Sequence, residues 1–228
     1  LYPFQGDPLM WIHLNTDFPY NLQGILYFPK LSGRADWEKG EIKLYCNQVF
    51  VSDSIKEIVP KYLLPLRGVI DSTDIPLNVS RSALQTDRKV RSISSFISKK
   101  IANKLKDLLK NNPEFYAEIW ESIAAFIKIG VIEDDKFAEL AKESIIFETK
   151  FGSSIDINKE IDSKTLIKKD EKYFTTLSSY KTRNKVFNDN KIIYCTDEIT
   201  QTNALNLWLS NNREVLKADP LIDAQFIP

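Results

Sequence analysis

One segment stands apart in a search for reactive groups: RGVIDSTDIPLNVSRSALQ, residues 67–85. Polar and turn residues and an Ile75–Pro76 bond lead there to Arg81, just ahead of a long helical pattern. Pro76 fixes its own φ and biases Ile75 toward extended geometry, so this connection is expected to be well defined. A guanidinium offers a planar fork of permanently charged donors, suited to carboxylates and phosphates. A lone Arg at a loop-to-helix junction serves most often as a salt-bridge partner, and spacing alone leaves it in that role.

Other chemistries find little support. With seven glycines the chain has neither GxGxxG nor GxxxxGK[ST], the usual phosphate cradles. His13 is the only histidine, which excludes a His-rich metal site and a triad built on several histidines. With Trp11, Ile12 and Leu14 around it, His13 reads as a packed or surface strand residue. Cys46 and Cys195 belong to no CxxC pair and fit reduced thiols better than a disulfide framework. The carboxylates Glu133, Asp134 and Asp135 sit at a helix boundary, where capping explains them.

The elements that must position Arg81 fall into three regions. In the first, 1–110, NLQGILYFPK alternates Leu22, Leu26 and Phe28 against Gln23, Ile25 and Tyr27 as a strand that Pro29 ends. EIKLYCNQVFV, residues 41–51, reads as one further strand with Ile42, Leu44 and Cys46 on one face. A short helix, prolines 60 and 65, and turns at Gly68 and Asp71–Ser72 follow. From Asp87, Val90, Ile93, Ile97, Ile101, Leu105 and Leu108 recur at helical steps, opposite a basic face.

The second region, 111–148, is helical. Asn112 is the expected N-cap, Pro113 the first helical residue, and Gly130 the stop. Phe115, Ile119, Ile123 and Phe126 form its stripe, with Trp120 one position past it at the core edge. A short helix with Phe137, Leu140, Ala141 and Ile145 inward follows. The third region, 149–228, opens with a polar stretch read as a loop. A smaller strand–helix–strand unit follows: KIIYCT as a buried strand, a helix over 200–209 and a strand over 213–216, which favours parallel pairing.

Composition adds bounds. Of 228 residues, 43% are hydrophobic and 27% charged, the balance of a soluble globular protein. Lys+Arg and Asp+Glu both total 31, so no global charge draws the chain to nucleic acid or an anionic membrane. No apolar run is long enough to span a bilayer. The start, LYPFQGDPLMWIHLN, lacks a basic head and an unbroken apolar core, and Met10 is the only Met. We therefore expect an excised piece of a longer protein, with processing of a precursor as the alternative, and the cysteine usage points to a cytoplasmic one.

The wording of the Arg segment carries further. RGVIDSTDIPLNVSR resembles the pattern RGVVDSxDLPLNxSR of the ninety-kilodalton heat-shock chaperones, of the bacterial type. Other stretches resemble the same family in order: DPL ahead of strands ending in FPK, IKLYCNQVFVSD, IVPKYLLPLRG, FIKIGVIEDDKF, TLSSYKTRN and ADPLIDAQFI. The resemblance covers nearly the whole chain and is most specific at the Arg loop.

It implies the family's middle domain: an α/β fold with a large α/β/α sandwich, a helical connector and a smaller α/β/α sandwich. It also implies that ATP and Mg²⁺ bind an N-terminal ATPase domain, and that a C-terminal domain makes the homodimer. By position Arg81 would reach the ATP γ-phosphate when the N-terminal domain docks. Gln85 would contact that domain or the phosphate, Asn78 and Ser80 would hold the loop's shape, and Phe50 would help position the docked domain. Unfolded or partly folded client proteins would bind on extended surfaces, with Trp120 a candidate contact. The isolated fragment would not be an enzyme and would hold no metal. The chain departs from the family at Ser82, where Glu is most common, which removes any Glu-dependent ion pair steadying the loop. A non-catalytic interaction module with Arg81 structural, and an independent small-molecule enzyme, are the alternatives.

Overall fold

The structure is a computed structural model that describes residues 7–18, 20–30, 41–53, 59–75, 88–155, 157, 161–162, 165–185, 191–225 and 227. The chain divides into two compact units, Leu1–Lys104 and Leu105–Pro228. Both are mixed α/β, as the sequence implies.

In the first unit the sheet runs in the order β1-β2-β5-β3-β4. Its strands are β1 (Met10–Thr16), β2 (Leu22–Phe28), β3 (Ile42–Cys46), β4 (Val49–Ser52) and β5 (Arg67–Asp71). Only β3 and β5 pair in parallel; the other neighbours are antiparallel. Period-two alternation buries Met10, Ile12, Leu14, Leu22, Leu26, Phe28, Ile42, Leu44 and Ile70 on one face. The expected stripe of α1 (Arg88–Asn111) is sealed at Val90, Ile93, Ile97 and Ile101. Tyr62, in a short 3₁₀ turn, hydrogen-bonds Ser98 of that helix at 3.3 Å.

Two expectations fail here. Residues 41–51 form two strands, because Asn47 and Gln48 both take positive φ (51° and 62°) and fold the run back on itself. Two positive-φ residues between paired strands are the mark of a type I′ hairpin. Gly68 is no turn but the middle of central strand β5, opposite Leu26 on one side and Ile42 on the other. Its φ is 146°, and a Cβ there would stand 2.0 Å from the Ile25 carbonyl oxygen. Glycine is therefore required by the approach of β2. Gly68→Ala is expected to destabilise the chain by roughly 2–3 kcal/mol in urea unfolding, since it adds both a clash and backbone strain.

The second unit opens with the last turns of α1 and continues into α2 (Pro113–Glu133), where Pro113 takes the first helical position as expected. Gly130 lies inside this helix, and the stop comes at Asp134. The Asp134 carboxylate accepts from the N–H groups of Lys136 and Phe137 and so caps α3 (Asp135–Ala141), which bears out the capping reading for Asp134. The expected stripe is buried at Ile119, Ile123 and Phe126 but is wider than expected: Tyr116 and Trp120 are also buried, with rings 5.6 Å apart, while Phe115 is half-buried. Burial pushes the Tyr116 hydroxyl pKa up, and that hydroxyl donates to the Ser144 carbonyl at 2.6 Å.

The second sheet has the order β7-β8-β6-β10-β9. Its strands are β6 (Ile146–Lys150), β7 (Ile167–Lys169), β8 (Lys172–Thr176), β9 (Tyr194–Cys195) and β10 (Val215–Lys217). The stretch read as a loop thus ends in a hairpin, turned by Asp170 at φ 53°. Thr176 caps α4 (Leu177–Asn184), and α5 (Thr202–Ser210) follows β9. The parallel pairing of β9 with β10 is as expected, but β9 is a two-residue edge strand in which only Cys195 is buried.

A buried polar hub joins α4 to β10. Arg183 donates from Nε and Nη2 to both carboxylate oxygens of Glu214, at 3.1 and 2.6 Å. Asn184 and Thr149 also donate to that carboxylate, at 2.6 and 3.0 Å. Elsewhere Lys128 of α2 stands 2.7 Å from both carboxylate oxygens of fully buried Asp223, which also accepts from the Asp219 N–H.

Candidate functional site

Arg81, Gln85, Asn78, Ser80 and Ser82 lie outside the described residues. What is described is the base from which their segment leaves the sheet, the tetrapeptide Asp71–Ser72–Thr73–Asp74. Ser72 is 1% exposed; its hydroxyl donates to the Asn21 carbonyl at 2.6 Å and accepts from the Asp74 N–H at 3.2 Å. The Asp74 carboxylate returns the bond, accepting from the Asn21 N–H at 2.7 Å. The chain is thus clamped on both sides of Asn21 at the point where β5 ends. The Ser72 N–H adds a bond to the Tyr45 carbonyl at 3.1 Å and extends the β5–β3 ladder by one rung.

Asp71 does something separate. Its carboxylate accepts from the Gln48 N–H at 2.9 Å, at the tip of the β3–β4 hairpin. Gln is a poor residue for positive φ, where a non-glycine side chain costs about 1–2 kcal/mol. A charge-assisted bond to that same residue offsets part of the cost. The hairpin carries Phe50, which is 52% exposed and meets the Tyr45 ring edge-on at 5.7 Å. Phe50 is therefore a surface aromatic, available to a partner, and not part of the core.

Sequence reasoning missed Asp71, Asn21 and Gln48, whose contacts bridge 23 and more residues. Asn–Gln between two apolar runs was the signal for the turn. Trp120, the candidate client contact, is only 4% exposed and packs on Tyr116 at the core edge, which leaves little of it for a partner. His13 lies on the exposed face of β1, opposite Ile25. Among the described residues no His, Cys, Asp or Glu group could hold a metal, and no helix is long and apolar enough to cross a membrane.

Comparison with known proteins places this base in context. The family model described as Hsp90 protein matches residues 3–226. The chain is 51% identical over 152 residues to a chaperone protein HtpG of Porphyromonas gingivalis, across 67% of this chain and 22% of the relative. It is 47% identical over 152 residues to one of Bacteroides fragilis, with the same coverage of 67% and 22%. A chaperone protein HtpG of Magnetococcus marinus is 38% identical over 156 residues, covering 66% of this chain and 23% of the relative. The matched stretch thus spans less than a quarter of these relatives, 22% to 23% of their length. With the family model covering nearly every residue, the chain belongs to the Hsp90 family.

Proposed function

We propose that this chain is the middle domain of an ATP-dependent, cytoplasmic molecular chaperone that works as a homodimer. Residues 1–110 form the larger subdomain with the Arg loop, 111–148 the helical connector and 149–228 the smaller subdomain. Arg81 is the group this domain supplies to catalysis, directed at the γ-phosphate of ATP held with Mg²⁺ in the N-terminal domain. Its guanidinium stabilises the negative charge on the phosphoryl oxygens as hydrolysis proceeds. Gln85 acts beside it, Asn78 and Ser80 shape the loop, and Phe50 steadies the docked domain. Client proteins in partly folded form use the same domain's surface.

The observation that carries the reading is the segment RGVIDSTDIPLNVSRSALQ, in a chain that belongs to the family. The Asn21 clamp supports it, because a group that must meet a nucleotide on another domain needs a fixed point of departure. The test is ATP turnover by this chain alone and by the full-length protein. The chain alone is expected to hydrolyse no ATP, and the full-length protein to hydrolyse it in a manner dependent on Arg81. Specific nucleotide turnover by the isolated chain would count against the reading.

A further inference from the structure

We propose that Asp71 is a positioning residue for this reaction, acting through the β3–β4 hairpin; the inference rests on the reading of Arg81 and Phe50 just given. Asp71 ends β5, and Arg81 follows it by ten residues. Its backbone pairs in register with Tyr45, while its carboxylate holds the Gln48 N–H at 2.9 Å. Tyr45 and Gln48 are the two places from which Phe50 is set: one supplies the ring it packs on, the other the turn that returns the strand.

Asp71 and its neighbours Ser72 and Asp74 therefore tie the hairpin and the start of the Arg segment to a common frame. Beyond Asp71 the chain is pinned to Asn21 by Ser72 and Asp74. Across the sheet, the same Asp71 fixes the hairpin tip that exposes Phe50 and Val49. A docked domain guided by Phe50 would present its nucleotide correctly to Arg81 only while that frame is rigid, since misplacement by about an ångström is costly in catalysis. The weak point is Gln48: its positive φ makes the turn depend on an external acceptor.

The test uses the full-length protein. Asp71→Ala is expected to lower kcat about tenfold, the scale of one lost charge-assisted hydrogen bond, with ATP affinity unchanged. Asp71→Asn, which keeps a neutral acceptor, should recover most of the loss. The decisive variant is Asp71→Ala with Gln48→Gly, because glycine takes positive φ without support and should restore turnover. In parallel, amide exchange at Gln48 in this chain should accelerate in Asp71→Ala. Normal turnover in Asp71→Ala, beside a defective Arg81→Ala protein, overturns the positioning role and leaves the Arg81 reading intact. Normal turnover in both variants overturns both. Failure of Gln48→Gly to rescue shows that Asp71 does not act through the turn.

Discussion

Arg81→Ala in the full-length protein is expected to lower kcat for ATP by about 10³, while ATP affinity stays within about twofold. The magnitude is the low end of what a supplied arginine contributes in phosphoryl transfer. The split between kcat and affinity follows from the proposed division of labour: another domain holds the nucleotide, and Arg81 meets it as charge develops. Arg81→Lys should recover little, because an ammonium keeps the charge but loses the planar fork that matches phosphoryl oxygens. Steady-state turnover together with equilibrium nucleotide binding checks all three statements. A protein lacking the guanidinium that turns over normally would instead be a family member in which Arg81 is structural and the domain only binds partners.

The largest effect on stability is expected at Glu214, far in sequence from the Arg loop. Glu214→Ala should cost about 3 kcal/mol in urea unfolding of this chain, because it leaves a largely buried guanidinium without its carboxylate. Arg183 is only 13% exposed and, among the described residues, retains the Thr165 carbonyl and the Thr175 hydroxyl as acceptors. Asn184 and Thr149 would lose a partner as well. Removing both charges as Glu214→Met with Arg183→Met should recover much of the loss, since the pair's own desolvation penalty vanishes with it. If Glu214→Ala costs less than about 1 kcal/mol, the hub is not what fastens α4 to β10.

How far the sequence could be read depended on how local the cause was. The stripe of α1 declares itself because Val90, Ile93, Ile97 and Ile101 are all sealed and helical spacing needs no distant partner. The parallel pairing of β9 and β10 was equally legible, since a helix lies between them. Gly68 misled because glycine in isolation signals a turn, whereas its reason here is the Ile25 carbonyl on another strand. Residues 41–51 hid a hairpin for a related cause: Asn47–Gln48 lacks the glycine that marks such turns, and the compensating acceptor, Asp71, comes 23 residues later. The site divides the same way. The wording of the Arg segment is what the proposed chemistry rests on, but only folding shows that Asp71 of the same segment bonds the turn of Phe50's hairpin.

The buried pair of Lys128 and Asp223 has a mechanical meaning. Strand β10 is three residues long and is a weak anchor against pulling on the segment that follows it. Asp223 hands that tension to the 21-residue helix α2 through a contact shielded from salt and water, with Lys128 also seated 4.9 Å above the Phe147 ring. A pull on residues 219–225 would thus load α2 together with the sheet's short strand.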